Sequence, residues 1–187
     1  MVLSGCSVIL SDGEIRRAVE RGDIEINPFE PAHLNPCSYD LTLGDEFAVY
    51  SDWVCVESYN NIHAFDREID VKKEPKIARL QIHSGDGLLL NPGVGYLMHT
   101  VERVHTKRYA PIIDGVSGLF MQVHAAGEPG FDGQCTLEVT VMHPLRVYPG
   151  MRIAQMRFHT IVGEVEKSYA GDVARGSVAS RAWKQFR

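Results

Sequence analysis

The sequence has no apolar run approaching the roughly 18 residues that a membrane-crossing helix needs. Its first residues carry neither a basic leader nor a long apolar core of the secretory kind, so the expected location is cytoplasmic. It also lacks any long block of one charge. A net charge of −5 with interspersed signs argues against binding a nucleic-acid backbone, which requires a basic footprint; a small polyanion in a local basic pocket stays compatible. Cysteine is scarce and scattered: Cys6, Cys37, Cys55 and Cys135 form no C-x-x-C pair, which predicts reduced, buried thiols rather than a disulfide framework. His33, His63, His83, His99, His105, His124, His143 and His159 are dispersed without metal-ligand spacing, so no metal site is expected.

What is present is a strand-rich pattern. The 187 residues predict one domain that buries about 70% of its unfolded surface. Val8, Ile9 and Leu10 read as a short strand-like start. One helix signal follows: Ser11 and Glu14 have capping-box spacing, Ile15, Ala18 and Val19 share a face, and Gly22 is a stop. After Pro28, Pro31 and Pro36, residues 38–43 alternate polar and apolar and predict a strand ending at Gly44. Residues 47–50 and 53–56 read as further short strands, and residues 57–79 as a long loop or insertion. Leu88-Leu89-Leu90, Asn91-Pro92-Gly93 and Tyr96-Leu97-Met98 read as strand, tight turn, strand; the pattern recurs around Pro149-Gly150. Closely spaced strands with one good helix predict a mostly-β barrel or sandwich.

The chain is organised around residues 114–138, where glycines mark tight turns or close approach of backbone to a ligand. On a strand, Leu137 and Val139 point one way and Thr136, Glu138 and Thr140 the other. By themselves Glu138 reads as an exposed strand residue and Ser117, near Gly115 and Gly118, as a turn residue. The tail from Lys167 carries Arg175, Arg181, Lys184 and Arg187 against one acid, Asp172. It is either a solvated terminus or a basic lid over a phosphorylated ligand.

Several motifs occur in order. They are Pro36-Cys37-Ser38-Tyr39-Asp40-Leu41, Leu90-x-Pro92-Gly93 and Thr100-x-Glu102-x-Val104, then Pro129-Gly130-Phe131-x-Gly133-x-x-Thr136-Leu137-Glu138 and Pro149-Gly150-Met151-x-Ile153-x-Gln155. Ile9-Leu10-Ser11-Asp12 and Val178-Ala179-Ser180-Arg181 flank them. Together they resemble the deoxycytidine triphosphate deaminases of the trimeric dUTPase superfamily, over nearly the whole chain. The resemblance implies a distorted jelly-roll-like β-barrel spanning 1–187, with residues 168–187 as a tail or lid. It implies a homotrimer with sites at subunit interfaces, and hydrolytic deamination of dCTP to dUTP and ammonia. No catalytic metal is implied, and Mg²⁺ enters only as a companion of the nucleotide's phosphates. The H-x-E and P-C-x-x-C signature of zinc nucleobase deaminases is indeed absent.

In site terms, Glu138 matches the family's catalytic glutamate, and Ser117 a serine that positions water or a phosphate oxygen. Gly115, Gly118, Glu128, Phe131 and Arg175 fall on the implied substrate site. Backbone around His124, Ala125 and Ala126 matches the segment reading the base edge, and Tyr169 a tail tyrosine near the nucleotide. A desolvated carboxyl group can deliver water to C4 of cytosine and move protons to N3 and the departing ammonia.

The departures are equally specific. Where the family has Gly-Arg-Ser-Ser and a further arginine, Val116 replaces the first Arg and Gly118 the second Ser. No arginine occurs between Tyr109 and Leu145, and the segments 115–124 and 126–131 are shortened. Each lost charged contact to phosphate removes about 1.5–3 kcal/mol. Three outcomes stay open: Arg175, Arg181 or Lys107-Arg108 substitutes; the substrate is less phosphorylated, such as dCMP; or the protein is a non-catalytic nucleotide-binding trimer. A dUTPase-like pyrophosphatase is a further alternative.

Overall fold

The computed structural model describes residues 8–51, 54–58, 61–64 and 76–166. Among them, no helix is long and apolar enough to cross a membrane. Helix α1 (Asp12–Glu20) starts at Ser11, whose hydroxyl accepts from the Glu14 amide at 3.3 Å. The reciprocal half of the predicted capping box does not form. Arg17 and Arg21 instead engage the Glu14 carboxylate at 2.8 and 3.0 Å, and charge-assisted bonds outcompete a neutral amide. Gly22 ends the helix at φ +71°, with its amide bonded to Val19 and that of Asp23 to Ala18, a Schellman closure. Ile15 and Ala18 are fully buried, and the backbone of residues 8–10 pins the helix start to the last strand.

The strands are β1 (Ile24–Asn27), β2 (Leu34–Asn35), β3 (Ser38–Tyr50), β4 (Val54–Ser58), β5 (Asn61–Ala64), β6 (Ile77–Gln81) and β7 (Leu88–Leu90). They continue as β8 (Tyr96–Thr106), β9 (Tyr109–Gly115), β10 (Met121–Ala126), β11 (Asp132–Val141), β12 (Leu145–Val147) and β13 (Arg152–Thr160). Neighbours run β8-β11-β10-β9-β13-β3, all antiparallel, and β3 pairs back onto β8. The result is a closed six-stranded barrel. Closure gives each of these six strands a partner on both sides, and period-2 alternation fills the inside with Tyr39, Leu41, Phe47, Met98, Leu137, Met156 and Phe158. On β11, Cys135, Leu137 and Val139 point inward while Thr136, Glu138 and Thr140 point out, as the sequence pattern predicts.

Three further expectations, on Gly44, on residues 57–79 and on Cys37, are corrected. Gly44 does not end a strand: β3 continues through it to Tyr50. A Cβ there would overlap the His99 imidazole, so the glycine admits a close side chain on the neighbouring strand. The span 57–79 is not wholly loop, since β5 and β6 occupy parts of it. Each Pro-Gly turn forms between two strands as expected, with Gly93 at φ +82° and Gly150 at φ +78°, and the strands it joins do not pair with each other. Instead β7 and β12 pair with each other, and β8 and β13 enter the barrel. Of the thiols, Cys135 is buried and burial pushes it up to about 12; Cys37 is exposed, contrary to expectation, because it sits in the turn between β2 and β3.

The barrel seam is irregular. The β3–β8 register shifts between Leu43 and Phe47, and on β8 the three residues 100–102 stand opposite Cys135 alone. Buried side chains stitch both breaks. The Glu102 carboxylate accepts from the Thr42 amide at 2.9 Å and hydroxyl at 2.7 Å. The Thr100 hydroxyl donates to the Glu102 carbonyl at 2.7 Å and accepts the Cys135 amide at 2.9 Å. Glu102→Ala strands two buried Thr42 donors, so it should destabilise the fold by about 2–4 kcal/mol in urea unfolding, while the exposed Glu128→Ala should change stability little.

Candidate active site

A cavity of about 880 Å³ opens on the outer face of the barrel. Its floor is one row of residues in register across adjacent strands: Leu97 on β8, Glu138 on β11, His124 on β10 and Asp114 on β9. Directly opposed residues in an antiparallel sheet share a face with Cβ atoms about 4.5–5.5 Å apart. His124 therefore lies between two acidic residues in the same outward row. The row continues past the cavity through Gln155 on β13 to Asp40 on β3, whose carboxylate accepts from Gln155 at 3.2 Å.

One wall is apolar. Leu97 and Ala48 form a small cluster outside the barrel, with Tyr50 and Ile77 packed on it. Tyr50 lines the cavity, and its phenol is pushed above the ordinary range, first by burial and then by the charge of Glu138. The opposite wall is the turn after β9. Gly115, Val116, Ser117 and Gly118 all line the cavity, with Gly118 at φ +89° and Phe120 at φ +50°. Backbone bonds pin both ends of this turn, from Val116 to Ile153 and from Met142 to Phe120, each 3.2 Å.

The β10–β11 ladder runs from Met121↔Val141 to His124↔Glu138 and stops, while β10 continues to Ala126 paired only with β9. The strands thus part immediately beyond Glu138. The backbone edge of Ala125 and Ala126 that faces β11 is left outside the ladder, beside the carboxylate.

The structure brings together Glu138, Ser117, Gly115, Gly118 and His124 around one cavity. Ala125 points into the core and does not line the cavity; its backbone and that of Ala126 lie just beyond it, where β10 leaves β11. Phe131 packs against the core and Glu128 is exposed in the following turn; neither lines the cavity. Tyr169 and Arg175 lie outside the described residues. Lys107 and Arg108 follow β8, at the opposite end of β9 from Gly115, and Arg108 lies 4.0 Å from Asp23. Sequence reasoning missed Tyr50 and Asp114 as site residues. Period-2 alternation places Asp114 outward, but only strand pairing sets it beside His124, and nothing local marks Tyr50.

The family model described as dCTP deaminase-like matches residues 9–161. A protein of Hathewaya histolytica named "dCTP deaminase, dUMP-forming" is 39% identical over 170 residues, 88% of this chain and 90% of that protein. A protein of the same name from Cytophaga hutchinsonii is 38% identical over 187 residues, covering 96% and 99%. The crystal structure of 2′-deoxycytidine 5′-triphosphate deaminase from Agrobacterium tumefaciens superposes with a TM-score of 0.59 at 19% identity. That match covers 83% of this chain and 48% of the other, so the chain spans about half of that protein, and the likeness speaks to the barrel alone. By the family match and by identity to these full-length relatives, the chain belongs to the dCTP deaminase-like family.

Proposed function

We propose that this protein hydrolyses the cytosine amino group of dCTP and also releases diphosphate, forming dUMP. The observation that carries the reading is the register pair His124↔Glu138 at the point where β10 and β11 part. It sets a carboxylate next to unpaired backbone that can hydrogen-bond the edge of a pyrimidine. The sequence resemblance implied dUTP as product; the relatives' names specify dUMP, and the proposal follows them. The balance is dCTP plus two waters giving dUMP, diphosphate and ammonia.

In this reading the Glu138 carboxylate takes a proton from the water that attacks C4 and passes it to N3, then takes the second proton from the C4 hydroxyl and delivers it to the amino group as the C4–N bond breaks and ammonia leaves. The apolar wall of Leu97, Ala48 and Tyr50 excludes bulk water on one side, which strengthens each charge–dipole contact in the site. Ser117, in the turn across the cavity, orients the water or a phosphate oxygen. Mg²⁺ accompanies the phosphates without entering the deamination step. Assembly as a homotrimer sharing sites belongs to the same proposal. The support for it is that the cavity rim exposes Phe120 and Met142 at 68% and 67%.

Glu138→Gln should lower ammonia release from dCTP by at least about 10²-fold, with folding unchanged because the side chain is exposed. Full activity in this variant refutes the assignment. Product analysis should show dUMP and diphosphate; accumulation of dUTP alone would restrict the activity to deamination.

The same substitution has a spectroscopic consequence. Removing the Glu138 charge should bring the Tyr50 phenol down toward its ordinary range, although burial still holds it up. A raised folded pKa contributes stability below the unfolded value of about 10, lost as pH rises through the folded pKa. Alkaline titration of tyrosinate absorbance, with Tyr50→Phe as reference, should therefore show Tyr50 ionising at lower pH in Glu138→Gln, and the loss of stability that begins near about pH 10 in both proteins should be smaller and end at lower pH in that variant.

A further inference from the structure

The electrostatics of the cavity do not match a polyanion. Among the described residues its lining includes two carboxylates, Asp114 and Glu138, and no lysine or arginine. At the position where the family carries the first arginine of Gly-Arg-Ser-Ser stands Val116. A triphosphate placed against the turn 115–118 meets backbone and the Ser117 hydroxyl, but no positive charge from the lining itself.

Ion pairing supplies one. Among the described residues, several arginines serve acids away from the cavity: Arg17 pairs with Glu14, Arg79 with Glu46, Arg103 with Asp132 and Arg152 with Asp40. Arg157 differs, because its partner Asp114 belongs to the cavity lining. Arg157 lies on β13 two residues beyond Gln155, the register partner of Asp114, and on the same outer face. One terminal nitrogen donates to Asp114 Oδ2 and the other reaches Gln155 Oε1 at 3.4 Å. A guanidinium has five N–H donors, so this arrangement anchors the group and leaves donors for a further acceptor. Its side chain is 30% exposed, and Asp114 is 56% exposed.

We infer that Arg157 is a phosphate-binding cation among the described residues, supplying from β13 a charge that is missing at Val116. The inference rests on the nucleotide reading above and deepens it. Arg157 stands opposite Ile112, and Asp114 holds its guanidinium next to the cavity lining, where a phosphoryl oxygen adds to the donors left over. The planar fork suits phosphate oxygens in pairs, which a lysine cannot reproduce. Arg157 touches the phosphates and not the reacting base, so its loss acts on binding.

The test uses the full chain and two probes, inorganic triphosphate and deoxycytidine, titrated calorimetrically into wild type, Arg157→Gln and Arg157→Lys. The expected result is about a 10- to 100-fold loss of triphosphate affinity in Arg157→Gln, with deoxycytidine affinity unchanged. Arg157→Lys keeps the charge, should fold even if the glutamine variant does not, and should lose less. Three results overturn the inference: wild type that does not bind triphosphate, Arg157→Gln that binds it as wild type does, or equal losses for both probes. The broader reading fails separately, when triphosphate binds through Arg157 but dCTP yields no ammonia.

Discussion

The barrel depends on the buried contact between Glu102 and Thr42. A six-stranded barrel closes only if its last pairing, β3 to β8, reaches register, and that ladder is the one broken between Leu43 and Phe47. The Glu102 carboxylate holds β3 at the break, and the neighbouring Thr100 hydroxyl holds β11 where residues 100–102 oppose Cys135. A buried carboxylate carries a desolvation cost that two good hydrogen bonds only partly offset. Its location suggests why it is tolerated: apolar side chains supply no partner for the backbone groups that an irregular register frees. Beyond the irregularity, Thr136 pairs with His99 and Glu138 with Leu97. The register that carries Glu138 out to the cavity is therefore set by the same stitches that close the seam.

This coupling places the site on the outside of the barrel rather than in its core. The interior is filled by large apolar side chains, with Tyr39, Tyr96, Phe47 and Phe158 among the largest fully buried. The outward residues of β11, β10 and β9 form a polar row that only strand pairing assembles. Across that row the cavity is divided by chemistry. Glu138, the parted backbone and the apolar wall suit a planar base, whereas the turn 115–118 with Ser117 suits phosphoryl oxygens once a cation is supplied.

Much of the fold was legible in the sequence because it rests on local rules. The α1 boundaries follow from Ser11 and Gly22, the β11 faces from period-2 alternation, and the two turns from Pro-Gly pairs. The failures occur where a distant residue decides. Gly44 looks like a strand stop, and only the His99 ring lying over it shows why a glycine continues the strand. Glu14 looks like a capping residue until Arg17 and Arg21 compete for its carboxylate. The pairing of β7 with β12 is invisible locally, since a strand–turn–strand pattern does not say which strands pair. The site shows the same division. Glu138 and Ser117 are marked by motif, whereas Asp114, Tyr50 and Arg157 acquire meaning only through register.

The most direct test is a crystal structure of the Glu138→Gln protein with dCTP bound. The account predicts the cytosine ring against the Ala125–Ala126 backbone edge, with C4 about 3.5 Å from the position-138 side chain and the phosphates along residues 115–118. A nucleotide bound away from this cavity, or one with its phosphates toward Glu138 and its base on the turn, would contradict it.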